Sequence, residues 1–393
     1  MSGVKHFAEG FSEDKDWRAA AVAAAKAARM RLGPGPCDLA LVFVAEAFKD
    51  FDPAEFSTLL AKSLSSLRVL GCNASGVIAG RREIEMTPGI SILAMRLPGV
   101  RVQPFAFTQE ELGKFENGAA LVKELDLYPN ENPKFMILSD MPSGNTERMA
   151  ALFNEGYPGA PLVGGVVSGP LLHKPAWLLL GSKVLKQGLA GVALVGPVEI
   201  QTVVAQGCRP IGDPLTVTRA EGSVLHELGG RNPLEVLRET LSKCTPVDQS
   251  LARGSLFAGL VLNEGQTEFR RGDFLIRNVL GYDDKSGSLV LGANLRRGQT
   301  LQFQLRDAHT SDLDFSMLLG ALPEMDSAPR GALLFSCCGR GKGLYGESDH
   351  DATLVQSLRG PVPMAGFFAN GEFGPVGGRN FVHGYASSFA LIK

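Results

Sequence analysis

The chain has 393 residues, enough for two domains with their own cores at about 100–200 residues each. Its apolar fraction of 45% and charged fraction of 20% are those of an ordinary globular protein. Lys and Arg number 39 against 41 Asp and Glu, a net charge of −2 with no basic run, which argues against a nucleic-acid partner.

No stretch approaches the ~18 apolar residues of a membrane span, so no membrane partner is expected. Residues 1–17 mix charges early, unlike the basic-then-apolar build of a secretory signal. The six cysteines (Cys37, Cys72, Cys208, Cys244, Cys337, Cys338) form no C-x-x-C pair, which leaves a structural zinc site unsupported. They read as reduced, mostly buried thiols of a cytoplasmic protein.

Residues 13–32 are Ala-rich and predict a docked helix, with Ser12 as N-cap and Gly33-Pro34 as the stop. From Asp38 onward an internal repeat is seen in three copies. Each copy opens on an apolar strand: Leu39 to Val44, Phe135 to Leu138, and Ala332 to Phe335. A helix follows in each. The first has Asp52 as cap, Pro53 at the first position, and Phe56, Leu59, Leu60, Leu64 and Leu67 on one face. The second runs from about Asn145 to Glu155 with Met149, Leu152 and Phe153 inward. The third starts at Ser348 in a capping-box spacing with Asp351, and buries Leu354, Val355 and Leu358.

Every copy then ends in one octet: two apolar or small residues, Gly, three variable residues, Ser or Asn, Gly. The octets are 69–76, 162–169 and 364–371. About 26 to 31 residues separate the first strand's end from the octet's first glycine, the length of a βαβ crossover with parallel strands. A further apolar run follows each octet. Val100 to Phe107 and Glu199 to Ala205 alternate like antiparallel partners, and 256–305 reads as several strands with a turn at Asp283 to Gly287. Asn232-Pro233 opens another helix. The expected architecture is α+β: mixed β-sheets covered by helices, in two related halves with repeated β-α-β-Gly-loop units. The expected organisation is an N-terminal helix in 1–34, one domain over 35–220 and another over 221–393.

Several of these stretches carry a family resemblance. Leu334-Phe335-Ser336-Cys337 with Gly339-Arg340-Gly341, Pro363 to Glu372, and Gly377-Gly378-Arg379-Asn380-Phe381 with His383-Gly384 closely resemble the C-terminal half of the FIST family. Asp38 to Val44, Leu70-Gly71-Cys72 with Ser75-Gly76, and Ser91 to Pro98 resemble its N-terminal half. The resemblance covers roughly residues 35 to 393. It implies a sensory domain that binds small ligands such as amino acids. Some relatives are haem-binding nitric-oxide sensors, which makes haem the rival cofactor; a protein-interaction scaffold is the third possibility, since eukaryotic relatives carry an F-box, though the one Ala-rich helix in residues 1–34 is too little for that module. No signalling output is attached here, so a signal would pass through a separate protein.

The candidate site lies in the Gly-rich loops. Ser75, Ser168 and Asn370 close the octets and would face a shared cleft if the loops meet at one sheet edge. The octet glycines themselves read as positions of close backbone approach. Arg340 reads either as a cation paired with Glu347 or Glu372, or as a fork gripping a ligand carboxylate, aided by the Gly339 and Gly341 amides; the carboxylate anchor is the expectation taken forward. Glu372 would receive a ligand ammonium or pair with Arg379 and brace the last loop. Cys337 is either an accessible thiol beside Arg340 or a small buried hydrophobe. His383 is either a satisfied core histidine or a ligand. No G-x-S-x-G, P-loop or H-E-x-x-H occurs, so a non-enzymatic protein with no cofactor or metal is expected.

Overall fold

Leu39 to Ala45 is apolar at every position, and the strand it forms is buried on both faces. In the computed structural model, which describes residues 6–66, 68–140, 143–169, 175–266, 268–269, 272–323 and 331–393, this β2 (Leu39–Ala45) lies parallel to β3 (Val69–Ala74). Between them runs α2 (Pro53–Leu64), with Asp52 capping the Ala54 amide and Pro53 in the first turn. Phe56, Leu60 and Leu64 are buried, and Leu59 packs against the same core; Leu67 lies outside the described residues. The unit recurs twice. β8 (Lys134–Asp140), α5 (Ser143–Gly156) and β9 (Leu162–Val166) form the second copy. β20 (Gly331–Cys337), α10 (His350–Arg359) and β21 (Met364–Ala369) form the third.

The octet glycines explain why these pairs close. Gly71 stands opposite Val42, Gly164 opposite Ile137, and Gly366 opposite Leu334. A Cβ at these glycines would meet the opposite residue's carbonyl oxygen at 2.5, 1.8 and 1.8 Å. No side chain fits there.

Each copy also carries a hairpin after its octet, and the hairpin joins another copy's sheet. β4 (Gly76–Ala79) and β5 (Arg82–Glu85) extend β21 of the third copy. β10 (Leu178–Leu180) and β11 (Lys183–Leu185) extend β3 of the first. β22 (Glu372–Val376) and β23 (Arg379–His383) extend β9 of the second. The exchange is cyclic. The strands that follow, β6 (Ile90–Arg96), β12 (Gly188–Val195) and β24 (Ser387–Ile392), return antiparallel to β2, β8 and β20. A sixth strand borders each sheet: β1 (His6–Ser12), β7 (Arg101–Phe107) and β13 (Ile200–Ala205). Three six-stranded mixed sheets result.

These sheets make one compact unit from Met1–Val204 and Ser316–Lys393. Helix α1 (Trp17–Leu32) docks within it through Ala20, Ala21, Ala24, Ala25 and Ala28, all buried. Contact is close: a Cβ on Gly10 of β1 would meet the Ala24 carbonyl at 2.0 Å. The cap is Asp16 rather than Ser12, because Ser12 closes β1, a strand the sequence reading did not anticipate. α3 (Gln109–Lys114) and α4 (Gly118–Leu125) lie between β7 and β8.

The second unit, Ala205–Phe315, is inserted in the chain between β13 and the third copy's first strand. It is a closed barrel of β14 (Cys208–Glu221), β15 (Val224–Leu228), β18 (Leu289–Leu291), β17 (Phe274–Tyr282), β16 (Leu256–Val261) and β19 (Thr300–Arg306). Ala258, Leu260, Leu301, Phe303 and Leu305 belong to its core. α6 (Pro233–Ser242) and α7 (Pro246–Ser255) belong to this unit, and α8 (Ala308–Ala321) leads the chain back to the first.

Gly366→Ala is expected to destabilise the protein by about 3 kcal/mol or more, since neither backbone can yield without breaking the pair. Gly343→Ala, where an added Cβ meets nothing within 4 Å, is the control. Denaturant midpoints of both variants check this; equal midpoints would remove the close-approach account.

Candidate functional site

The octet corners meet, but they meet each other. Ser168 is fully buried, donates to the Phe368 carbonyl and accepts from the Ser75 amide at 2.8 Å. Val166 and the third corner exchange backbone bonds, from the Asn370 amide and to the Gly371 carbonyl. The expected cleft between Ser75, Ser168 and Asn370 is thus a hydrogen-bonded seam, with the Asn370 side chain turned outward and exposed. Cys337 is buried, and Cys338 lies with its Sγ 3.5 Å from Ser75 Oγ. Burial pushes the Cys338 thiol up to about 11, so it is no nucleophile at neutral pH.

Arg340 is also not a surface anchor. It is 0% exposed, and the carboxylate in its fork belongs to Asp351. Nε meets Oδ2 at 2.7 Å and Nη2 meets Oδ1 at 3.1 Å. Nη2 also donates to the Tyr345 hydroxyl, and the Tyr345 ring stacks on His350 at 3.5 Å. Asp351 further accepts from Ser336 and Ser387 hydroxyls at 3.1 and 2.8 Å. Burial works against the Asp351 charge, yet Arg340 and these hydrogen bonds hold its carboxyl well below the usual carboxylate range. Among the described residues the carboxylate paired with Arg340 is thus that of Asp351, and not Glu347 or Glu372. Helix α10 starts at His350 with no side-chain cap bond, because Asp351 turns inward to Arg340; Leu358 is 44% exposed rather than buried.

The remaining expected residues fall apart. Glu372 is fully buried and accepts from the Ala386 amide at 3.1 Å. It stands at one end of the β22–β23 hairpin, opposite His383, whereas Arg379 stands exposed at the other end opposite Val376. Arg379 instead borders a groove of about 300 Å³ with Asn154, Glu155 and Gly378. Gly339 is exposed; Gly341 takes φ 60° before α9 (Lys342–Tyr345). His383 is a satisfied core histidine, its Nε2 donating to the Gly374 carbonyl at 3.0 Å.

A cavity of about 590 Å³ opens elsewhere, beyond the carboxyl ends of the parallel strands β2 and β3. Its floor is Val44, Ala45, Glu46 and Asn73; Phe48, Phe51 and Trp177 form its aromatic wall; Asp50, Asp52 and Lys186 are exposed at its rim. Phe51 and Trp177 stack with centroids 5.4 Å apart and planes within 11°. Asn73 is tied on both sides: its Nδ2 donates to Glu46 Oε1 and, at 2.9 Å, to the Pro175 carbonyl, while its Oδ1 accepts from the Trp177 amide at 2.9 Å. Glu46 and Asn73 are 4% and 3% exposed, polar groups placed where an apolar strand runs out. Among the described residues the lining carries no His, Cys, Met or Tyr side chain. The sequence reading passed over this site. One signal was available: Asn73 occupies the fifth octet position, where the other copies carry Val166 and Phe368.

Two predictions follow from the buried charges. Arg340→Ala leaves Asp351 charged and unmatched, so a loss of about 3–5 kcal/mol in unfolding free energy is expected; an unchanged denaturation midpoint would contradict the pairing. Glu83, 4% exposed in β5, accepts from the Ala352 amide at 2.8 Å, while its Oε2 finds no hydrogen-bond partner among the described residues. Burial and the nearby Asp351 charge push its carboxyl from the ordinary 4.5 up to about 8. The folded chain thus holds this proton more tightly than the unfolded chain. Its stabilisation is complete below about pH 4.5 and is lost as pH rises through about 8. Thermal melts of the wild type should fall between pH 6 and 9, and Glu83→Gln should flatten that fall; parallel curves would refute it.

Comparison with known proteins finds two family models along the chain. The FIST N domain matches residues 38–231 and the FIST C domain matches residues 233–375. An uncharacterized protein of Mycobacterium tuberculosis is 37% identical over 384 residues, covering 98% of both chains. One of Mycobacterium bovis is 36% identical over 384 residues, covering 98% of this chain and 97% of its own. The chain therefore belongs to the FIST family, whose domains are associated with sensory signal transduction.

Proposed function

We propose that this chain is a non-enzymatic sensor that receives a small molecule in the cavity at the carboxyl ends of β2 and β3, and signals through a separate partner protein. The observation that carries this reading is the cavity itself. About 590 Å³ with an aromatic wall, a buried polar pair and a charged rim is the usual build of a small-ligand site. Its position also fits, because ligands in sheets with parallel strands bind beyond the strands' carboxyl ends. The ligand has an apolar body for Phe48, Phe51 and Trp177 and a polar head for Glu46 and the rim; an amino-acid-like molecule is one such shape.

Binding is expected to raise the melting temperature in proportion to the logarithm of ligand concentration once sites are filled. A thermal-shift screen of amino acids, organic acids, amines and haemin, with Trp177 fluorescence as second readout, tests the site. Phe51→Ala should weaken a hit about tenfold to a hundredfold through lost apolar contact. A hit with unaltered affinity in that variant would place the ligand elsewhere. Turnover of any screened compound would overturn the non-enzymatic reading, and a Soret band with haemin that Phe51→Ala leaves intact would favour a haem site outside this cavity.

A further inference from the structure

We propose that Glu83 and the start of α10 form a proton-operated latch, which keeps β5 seated on the third copy while Glu83 is protonated and loosens that contact when Glu83 ionises. The inference does not depend on the cavity. Its basis is a pair of hydrogen bonds that cap α10 from another copy. In an ordinary capping box the residue before a helix and the residue three further on bond each other's amides. At α10 the cap residue, Asp349, takes φ 67° and its side chain makes no cap bond. Its Oδ1 accepts instead from the Glu83 amide at 2.6 Å, and Glu83 Oε1 accepts from the Ala352 amide at 2.8 Å. A strand residue thus supplies the carboxyl oxygen that the helix's own cap withholds. The strand in question, β5, is four residues long and stands at the edge of its sheet. Short edges with few ladder bonds are where local opening occurs most readily.

The two charge states of Glu83 differ in what they cost here. The residue is 4% exposed, and its Oε2 has no hydrogen-bond partner among the described residues. A neutral carboxyl still offers Oε1 to the Ala352 amide, so protonation leaves the capping bond in place. An ionised one adds charge to an oxygen that no described group solvates. The groups around it raise that cost. Asp351 faces it from α10, 1% exposed and held charged, with His350 Nδ1 3.2 Å from Asp351 Oδ1. Glu85 stands on β5 itself, bonded to the Lys342 amide. Arg340 attracts the Glu83 charge, but less than Asp351 and Glu85 repel it. Arg82 turns to Asp349 and Glu13, and burial keeps the Tyr345 hydroxyl protonated. Burial and then Asp351 push the seated carboxyl up to about 8, whereas opening returns it to water and its ordinary 4.5. Rising pH therefore favours the open contact by up to about tenfold per pH unit, levelling off above about pH 8.

Hydrogen exchange of the full chain, read by mass spectrometry and corrected for the intrinsic pH dependence of exchange, locates the opening where a thermal melt does not. Peptides covering β5 and the first turn of α10 should lose protection at least about tenfold between about pH 6 and 8, while β8 and β9 of the second copy keep theirs. Glu83→Gln retains an oxygen for the Ala352 amide and does not ionise, so protection at both places should stay level over the same range. Glu85→Gln retains an oxygen for the Lys342 amide and removes one like charge. It should move the levelling-off to lower pH, and supplies the test if Glu83→Gln does not fold. A flat wild-type profile would overturn the latch, as would a loss shared equally by β8 and β9. So would a loss that persists in Glu83→Gln or, where that variant does not fold, a profile that Glu85→Gln leaves unmoved.

Discussion

Three carbonyl oxygens, those of Val42, Ile137 and Leu334, sit where a β-carbon would be on any residue but glycine at positions 71, 164 and 366. On that close approach the parallel pairs of all three copies depend. Those pairs set the sheets, and the sheets set where each hairpin lands. Because every copy lends its hairpin to another, no copy completes its own sheet alone. β4 of the first copy must find β21 of the third, near the far end of the chain. Such pairings cost loop-closure entropy before they gain contact, so the first unit folds as a closed ring of obligations rather than as three modules.

The Arg340 loop belongs to that closure. Its neighbours across the fold are Glu83 and Glu85, both on the β5 strand that the first copy lends. Glu85 Oε1 accepts from the Lys342 amide at 2.8 Å, Asp349 Oδ1 accepts from the Glu83 amide at 2.6 Å, and Glu83 accepts from Ala352. A Cβ on Gly341 would collide with the Glu85 carboxylate at 2.6 Å. The glycines and guanidinium of residues 339–341 are thus a binding loop after all, but what they hold is the chain's own hairpin and Asp351. A buried pair of this kind contributes modestly when intact and costs heavily when halved.

This distinction could not be read from the sequence, and the reason is physical. A Gly-Arg-Gly turn after an apolar strand looks the same whether the anion it meets is a ligand or a side chain eleven residues on. What was legible is what repeats. The three strand–helix–octet copies, the Asp52 cap with Pro53, and the glycines of close approach leave periodic or steric marks in the residues themselves. The cyclic hairpin exchange leaves none, because β4–β5 read locally as an ordinary hairpin whichever sheet receives it. The same holds for β1, whose pairing with β6 lies far from it in sequence, and for the barrel, whose insertion between β13 and the third copy is invisible to local patterns. Asn73 was legible in principle, yet as a single departure from a repeat rather than as a motif.

That departure sets the first copy apart from the other two. Counting along each strand from the residue opposite the octet glycine, Glu46 of the first copy corresponds to Met141 and Cys338, and Asn73 to Val166 and Phe368. In the third copy those positions are spent on packing: Phe368 is buried and Cys338 bonds the Ala369 carbonyl at 3.0 Å. The first copy places two polar side chains at the equivalent points, and a cavity opens there. Burying a carboxylate and an amide costs free energy that apolar residues at the same positions avoid, as the third copy demonstrates within the same chain. A fold with a stable apolar solution at that corner, used elsewhere in its own sheets, carries the costly one where strand ends, aromatic faces and a capped helix start converge. Part of that cost is offset locally, because Asn73 bonds Glu46, the Pro175 carbonyl and the Trp177 amide and so ties the segment that follows the second octet to the end of the first sheet's parallel pair.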